Sequence, residues 1–173
     1  TGDISPRAEA LLYAADRAHH VFSVIRPALA NGEVVISDRY FDSSIAYQGA
    51  GRVLSPGEVA RISRWATESL FPTLTIVIDL PAEIGIGRLK NRDRLEAEPI
   101  AFHERVRQEF LQIARLDPER YLIVDGRKSV ETIHEEIASR VATLPAISHE
   151  IKPSKNILKK SAKKTVKKTA KKK

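Results

Sequence analysis

Leu74-Thr75-Ile76-Val77-Ile78-Asp79-Leu80 decides the fold class. The run is almost continuously apolar, rich in β-branched side chains, and closed by Pro81, which has no N–H to give to a strand ladder. Unbroken hydrophobicity of this kind is what a strand covered on both faces requires, because a strand with one wet face alternates. Working outward, Glu33–Ser37 (EVVIS) reads as a second buried strand, with Asp38-Arg39 at its carboxyl end. A third follows the Asp117-Pro118 turn, at Tyr121–Val124. Short, doubly buried strands separated by helical segments imply an α/β fold with a parallel sheet and flanking helices. Only three strands are legible.

The helices between them carry recognisable start and stop signals. Ser5-Pro6 pairs an N-cap serine with proline at the first helical position, and Leu11, Leu12, Ala15, Ala18, Phe22 and Ile25 recur at spacings of three and four. Pro27 should kink that helix, and Asn31-Gly32 should end it. A helix is expected over Phe41–Gln48, and Ser55-Pro56 opens another that runs to Leu70. Residues 82–90 read as helical, a charged stretch fills Lys90–Glu98, and further helices span Ile100–Ala114 and Ser129–Leu144.

Charge divides the chain unequally. Of its 29 basic residues, 11 are lysines in the last 23 positions, where there is no acid. Residues 1–150 then hold 18 basic against 22 acidic side chains, so the overall +7 belongs to the tail. Residues 146–173 repeat alanine, threonine and lysine and cannot bury enough apolar surface to offset the entropy of ordering, so that tail should be disordered and residues 1–145 should form the domain. Such a tail could bind nucleic acid or another polyanion without reading sequence, which is the alternative function this chain offers. Cysteine is absent, which excludes disulfides and thiolate chemistry and agrees with a cytoplasmic location. No apolar run approaches the roughly 18 to 20 residues needed to cross a bilayer, so no membrane partner is expected. The five histidines show no metal-ligand spacing and read as structural or surface residues.

Ligands of parallel α/β sheets bind beyond the carboxyl ends of the strands, which draws attention to Asp38 and Arg39. Arg39 can grip a phosphate bidentately and Asp38 can hold magnesium or its water, or the two can simply close a strand end as an ion pair. Ser44, Tyr47 and Gln48 fall at i, i+3 and i+4, so on an α-helix they share one face that suits a nucleoside. Tyr13 and Arg17 make another i, i+4 pair, an aromatic plate beside a guanidinium. The alternative for that pair is a half-buried tyrosine beside a solvated arginine.

Four strings now carry a resemblance: LLYAADRAHHV (Leu11–Val21), DRYFDSSIAYQGAGR (Asp38–Arg52), DRLEAEPIAFHERV (Asp93–Val106) and YLIVDG (Tyr121–Gly126). In order and spacing they resemble the nucleoside-monophosphate side of bacterial thymidylate kinases over about residues 4–144. The resemblance implies a P-loop NTPase-like fold and transfer of a phosphoryl group from ATP, with Mg2+, to dTMP, giving dTDP. It implies that Arg39 holds the dTMP phosphate and Asp38 helps place the metal. Arg17 would donate to the thymine ring with Tyr13 near its face, where the family often has phenylalanine. Ser44 and Gln48 would contact the nucleoside, and Tyr47 would crowd the ribose 2′ position. Arg88, Arg92 and Arg94 would be the lid arginines that neutralise the transferring group, with Lys90 assisting. A homodimer is implied as well, with the apolar faces at 11–25 and 59–70 as its candidate interface.

Besides Tyr13 and a lid shorter than in some relatives, the chain departs from the family at its start. No Gly-x-x-x-x-Gly-Lys-Ser/Thr string occurs, there is no methionine, and the first residue is Thr1. The expectation is that the ATP phosphate loop, its strand and the segment after it are missing from the start. In the family order 2-3-1-4-5 that strand lies between EVVIS and LTIVIDL, so the 173 residues alone should be poorly folded and negligible as a kinase.

Overall fold

The computed structural model describes residues 4–50, 54–89 and 93–144. The expectations placed on Lys90, Arg92 and the lysine-rich tail, and the domain boundary at 145, lie outside the described residues. The chain divides into two units, residues 1–137 and 138–173, and apart from the last residues of the final helix the elements and contacts below belong to the first.

Helix α1 (Pro6–His20) begins where the sequence signals it. The Ser5 Oγ accepts the Ala8 N–H at 3.2 Å, and Pro6 occupies the first turn, where an N–H would go unpaired. The helix meets Pro27 by widening into a π-helical turn (Val21–Ile25) before continuing as α2 (Arg26–Ala30). A wider turn gives the proline ring room that regular α geometry denies it. Gly32, at φ +78°, ends the helix, and the Glu33 N–H reaches back to the Ala28 carbonyl at 3.0 Å. The face that α1 buries differs from the expected one. Of the expected positions Ile25 is covered, together with Ala10, Ala14 and Val21, whereas Leu11, Leu12 and Phe22 are exposed.

EVVIS is not a strand. Residues 33–37 carry no ladder, and Ile36 is 93% and Val34 67% exposed. A β-branched run becomes a strand only where another backbone takes its N–H and C=O groups, and among the described residues none lies beside it. The sheet described here therefore has two strands, β1 (Thr75–Asp79) and β2 (Tyr121–Asp125), parallel and in register from Thr75 opposite Tyr121 to Asp79 opposite Asp125. The double burial expected of β1 is also absent, with Ile78 57% exposed.

Helix α3 (Phe41–Ser44) is only one turn long and passes into a second π-helical segment, Ile45–Ala50. Helix α4 (Pro56–Ala66) stops short of Leu70, because Glu68 and Ser69 take left-handed backbone angles of +49° and +56°. Helix α5 (Ala82–Gly87) follows β1, α6 (Ile100–Leu116) precedes β2, and α7 (Val130–Val141) follows it. The central cluster joins α6 to the second π segment: Phe102 and Val106 pack on Ala46, with Tyr47, Leu95 and Phe110 closing around them. That packing anchors the turn that follows Arg39.

Candidate functional site

Arg39 sits at φ +63°, in the left-handed region that costs an ordinary residue about 1–2 kcal/mol. Two contacts hold it there. The Ser37 hydroxyl donates to the Arg39 carbonyl at 2.7 Å, and the Arg39 guanidinium carbon lies 5.1 Å from the Tyr47 ring centre. Strained backbone beside an exposed charge is the kind of place where a ligand contact is found. Asp38, its neighbour, is exposed to solvent.

Across from this turn, Glu9, Tyr13 and Arg17 form a single i, i+4, i+8 row on α1. Tyr13 is 40% exposed. Arg17 is half-buried, with its guanidinium 5.9 Å above the Tyr40 ring, and its Nη1 is buried with no hydrogen-bond partner. Burial lowers the Arg17 pKa, and the nearby Tyr40, Asp16 and Asp42 only partly offset this. A guanidinium that loses water without gaining an acceptor is uncommon in a native fold.

The second π segment separates residues that an α-helix would have aligned. Tyr47 turns toward Phe102 and Phe110, each at 6.2 Å between ring centres. Ser44 and Gln48 are both buried at 3%. The Gln48 amide donates to one oxygen of the buried Glu9 carboxylate at 3.1 Å, and the Arg94 guanidinium donates to the other. That hydrogen bond raises the Arg94 pKa. Sequence reasoning missed Glu9, although its place four residues before Tyr13 was a usable signal.

It also missed a second knot. Asp42, buried at 3%, accepts the Tyr121 hydroxyl at 2.5 Å and the Arg120 guanidinium at 3.4 Å. Arg120 stacks 4.3 Å from the Tyr121 ring and also faces Phe41 and Phe71. Burial, then the hydrogen bond to Asp42, pushes the Tyr121 phenol well above its usual pKa. This knot joins the first turn of α3 to the start of β2, so it fixes the turn that carries Arg39.

A cavity of about 200 Å³ opens beside Tyr47, at the carboxyl end of β1. Its wall includes Asp79, His103, Arg107 and Phe110, but not Tyr13, Arg17, Arg39, Ser44 or Gln48. The His103 Nε2 is buried there without a partner, and the ring stands edge-on to Phe102 at 5.3 Å. Arg107 grips Asp79 with bonds of 2.6 and 3.0 Å and holds that carboxyl below its ordinary pKa.

Of the expected lid arginines, Arg88 is exposed just past α5, Arg94 is ion-paired to Glu9, and Arg92 lies outside the described residues. The structure thus brings Arg39 to Tyr47 and joins Gln48 and Arg94 through Glu9. Tyr13 and Arg17 stand on α1 beside that junction. Among the described residues no three His, Cys, Asp or Glu side chains cluster as a metal site, and no helix is long and apolar enough to cross a membrane.

A family model for thymidylate kinase matches residues 1–137. The chain is 58% identical over 144 residues to a thymidylate kinase from Leifsonia xyli subsp. xyli, a match covering 81% of this chain and 68% of that protein. Against the thymidylate kinase of Clavibacter michiganensis subsp. michiganensis the identity is 54% over 149 residues, covering 84% and 71% respectively. The thymidylate kinase of Cutibacterium acnes is 53% identical over 144 residues, with 83% of this chain and 71% of the relative covered.

Proposed function

This chain belongs to the thymidylate kinase family, and on that premise we propose that α1 and the Arg39–Gln48 segment bind thymidine monophosphate as acceptor of the ATP γ-phosphoryl group. The products are thymidine diphosphate and ADP. The observation that carries the reading is the buried, unpartnered Nη1 of Arg17. A buried donor without an acceptor costs about 1–3 kcal/mol, and a carbonyl of the thymine ring supplies the acceptor that the fold leaves out. Arg17 thus acts as the base contact, with Tyr13 beside the ring and Ser44 and Gln48 bordering the nucleoside.

Arg39 takes the phosphate, held in its strained turn by Ser37 and Tyr47. Tyr47 crowds the sugar on the 2′ side, which favours the deoxynucleotide. Phosphoryl transfer passes through a loose, highly charged transition state, so positioning and cations supply most of the catalysis. Arg88 and Arg92 are assigned to that task, and Arg94 reaches the transferring group only by leaving Glu9. Mg2+ uses one or two carboxylates and completes its shell with phosphate oxygens and water, so the exposed Asp38 beside Arg39 suits such an ion. When bound, the metal neutralises charge on the transferring phosphate. The 173 residues contain no Gly-x-x-x-x-Gly-Lys-Ser/Thr string, the sequence that cradles the ATP phosphates in P-loop kinases. The exposed Leu11, Leu12, Phe22, Val24 and Trp65 supply the apolar faces through which a homodimer would form.

The nucleotide side is testable by itself. Titration calorimetry of the 173-residue chain with dTMP should show saturable binding. Arg17→Met should weaken it about ten- to hundredfold without lowering the melting temperature, since the variant removes an unsatisfied buried donor. Absent binding by the parent chain, or unaltered binding by the variant, would refute the reading.

A further inference from the structure

We infer that Glu9 fixes the orientation of the Gln48 amide and so makes the site selective for pyrimidines whose N3 carries a hydrogen, thymine or uracil, over cytosine. The inference rests on the reading of Gln48 as a contact to the base. Its ground is the Glu9–Gln48–Arg94 junction.

A carboxylate ion-paired to arginine offers acceptors only. One Glu9 oxygen accepts the Gln48 Nε2–H at 3.1 Å, and the other accepts from Arg94. The amide therefore has its donor end committed to α1, and its Oε1 is turned the other way. Rotating the amide by half a turn would set Oε1 against a carboxylate oxygen. With Glu9 and Gln48 5% and 3% exposed, water cannot compensate, and the flipped form is disfavoured by about tenfold or more. Glu9 is thus a positioning residue, one that determines which end of an ambivalent side chain is offered outward.

The outward end decides the base. Thymine and uracil present N3–H, a donor that complements the Oε1 of Gln48. Cytosine presents a bare N3, an acceptor that meets another acceptor, and it replaces the neighbouring carbonyl by an amino group, a donor facing the donor end of Arg17. A freely rotating glutamine would accept either base by turning over. The held one accepts only the first.

Titration calorimetry of dTMP and dCMP against the full chain, Glu9→Gln and the exchange variant Glu9→Gln/Gln48→Glu tests this. The parent chain should prefer dTMP. Glu9→Gln, whose amide both donates and accepts, should let Gln48 turn and should narrow the dTMP to dCMP ratio about tenfold. The exchange variant again offers only acceptors at position 48 and should restore the ratio, which also decides the matter if the single variant does not fold. A ratio unchanged in Glu9→Gln, or one left narrowed in the exchange variant, overturns the inference. A parent chain that binds both nucleotides equally overturns it while sparing the proposed site, whereas one that binds neither removes both.

Discussion

Asp42 and Glu9 are carboxylates buried to nearly the same degree, at 3% and 5%, and each is shared between an arginine and an uncharged hydrogen-bond donor. Their surroundings differ. Both partners of Asp42 come from the start of β2, and both are enclosed: Tyr121 is 6% exposed, and the Arg120 guanidinium is flanked by three aromatic rings. Glu9 holds a buried glutamine on one side and, on the other, an arginine whose side chain is 58% exposed. Burial of a charge therefore does not by itself mark a functional group. What separates the two is whether a partner can still reach solvent or ligand. The Asp42 knot is closed on every side, whereas the Glu9 junction keeps one partner, Arg94, in contact with solvent.

The contrast predicts unequal costs. Asp42→Ala strands a buried guanidinium and a buried hydroxyl together, and breaking such a pair costs about 3–5 kcal/mol. Chemical denaturation should show that loss directly. Glu9→Ala should cost only about 1–2 kcal/mol, because Arg94 can turn to water while the buried Gln48 amide loses its acceptor. Equal costs, or the reverse order, would mean that the open junction carries as much of the fold as the closed knot.

Much of this was legible in the sequence and some was not, for reasons that particular residues make plain. The strand at Thr75–Asp79, the capped start of α1 and the stop at Gly32 follow from local rules, and each formed as expected. EVVIS obeys the same local rules as TIVID and is no strand, because a ladder needs a partner and composition says nothing about partners. The buried face of α1 was misjudged for a related reason. Its spacing fits two faces, and the covered one is lined by small alanines that a hydrophobicity count underweights. At the candidate site, Arg39 stood out for its place after an expected strand, and Arg17 and Gln48 for their i, i+4 spacing from Tyr13 and Ser44. Asp42, Arg120 and Tyr121 did not, since 78 residues separate the two halves of that knot and no spacing rule spans such a gap. Glu9 was readable in principle, as one more step along the row of Tyr13 and Arg17.

The smallest expected effect isolates the closed knot by its titration. Burial and the hydrogen bond to Asp42 raise the Tyr121 pKa above its ordinary value of about 10, so the native state holds the phenolic proton more tightly than the unfolded chain does. Its contribution is therefore complete below about pH 10 and is lost as pH rises from there toward the raised native value. Tyr40, also raised by burial, adds a share of the same sign. Tyr121→Phe should lower stability by about 1 kcal/mol at neutral pH and should flatten, without abolishing, the decline above about pH 10. Glu9→Ala should leave the alkaline decline unchanged, because the amide of Gln48 does not ionise and arginine remains charged until above about pH 12. Denaturation midpoints measured from pH 8 to 11 separate the two junctions without any ligand. Identical alkaline profiles in the parent and Tyr121→Phe would show that Asp42 does not hold the Tyr121 proton, and the distinction between the closed knot and the open one would go with it.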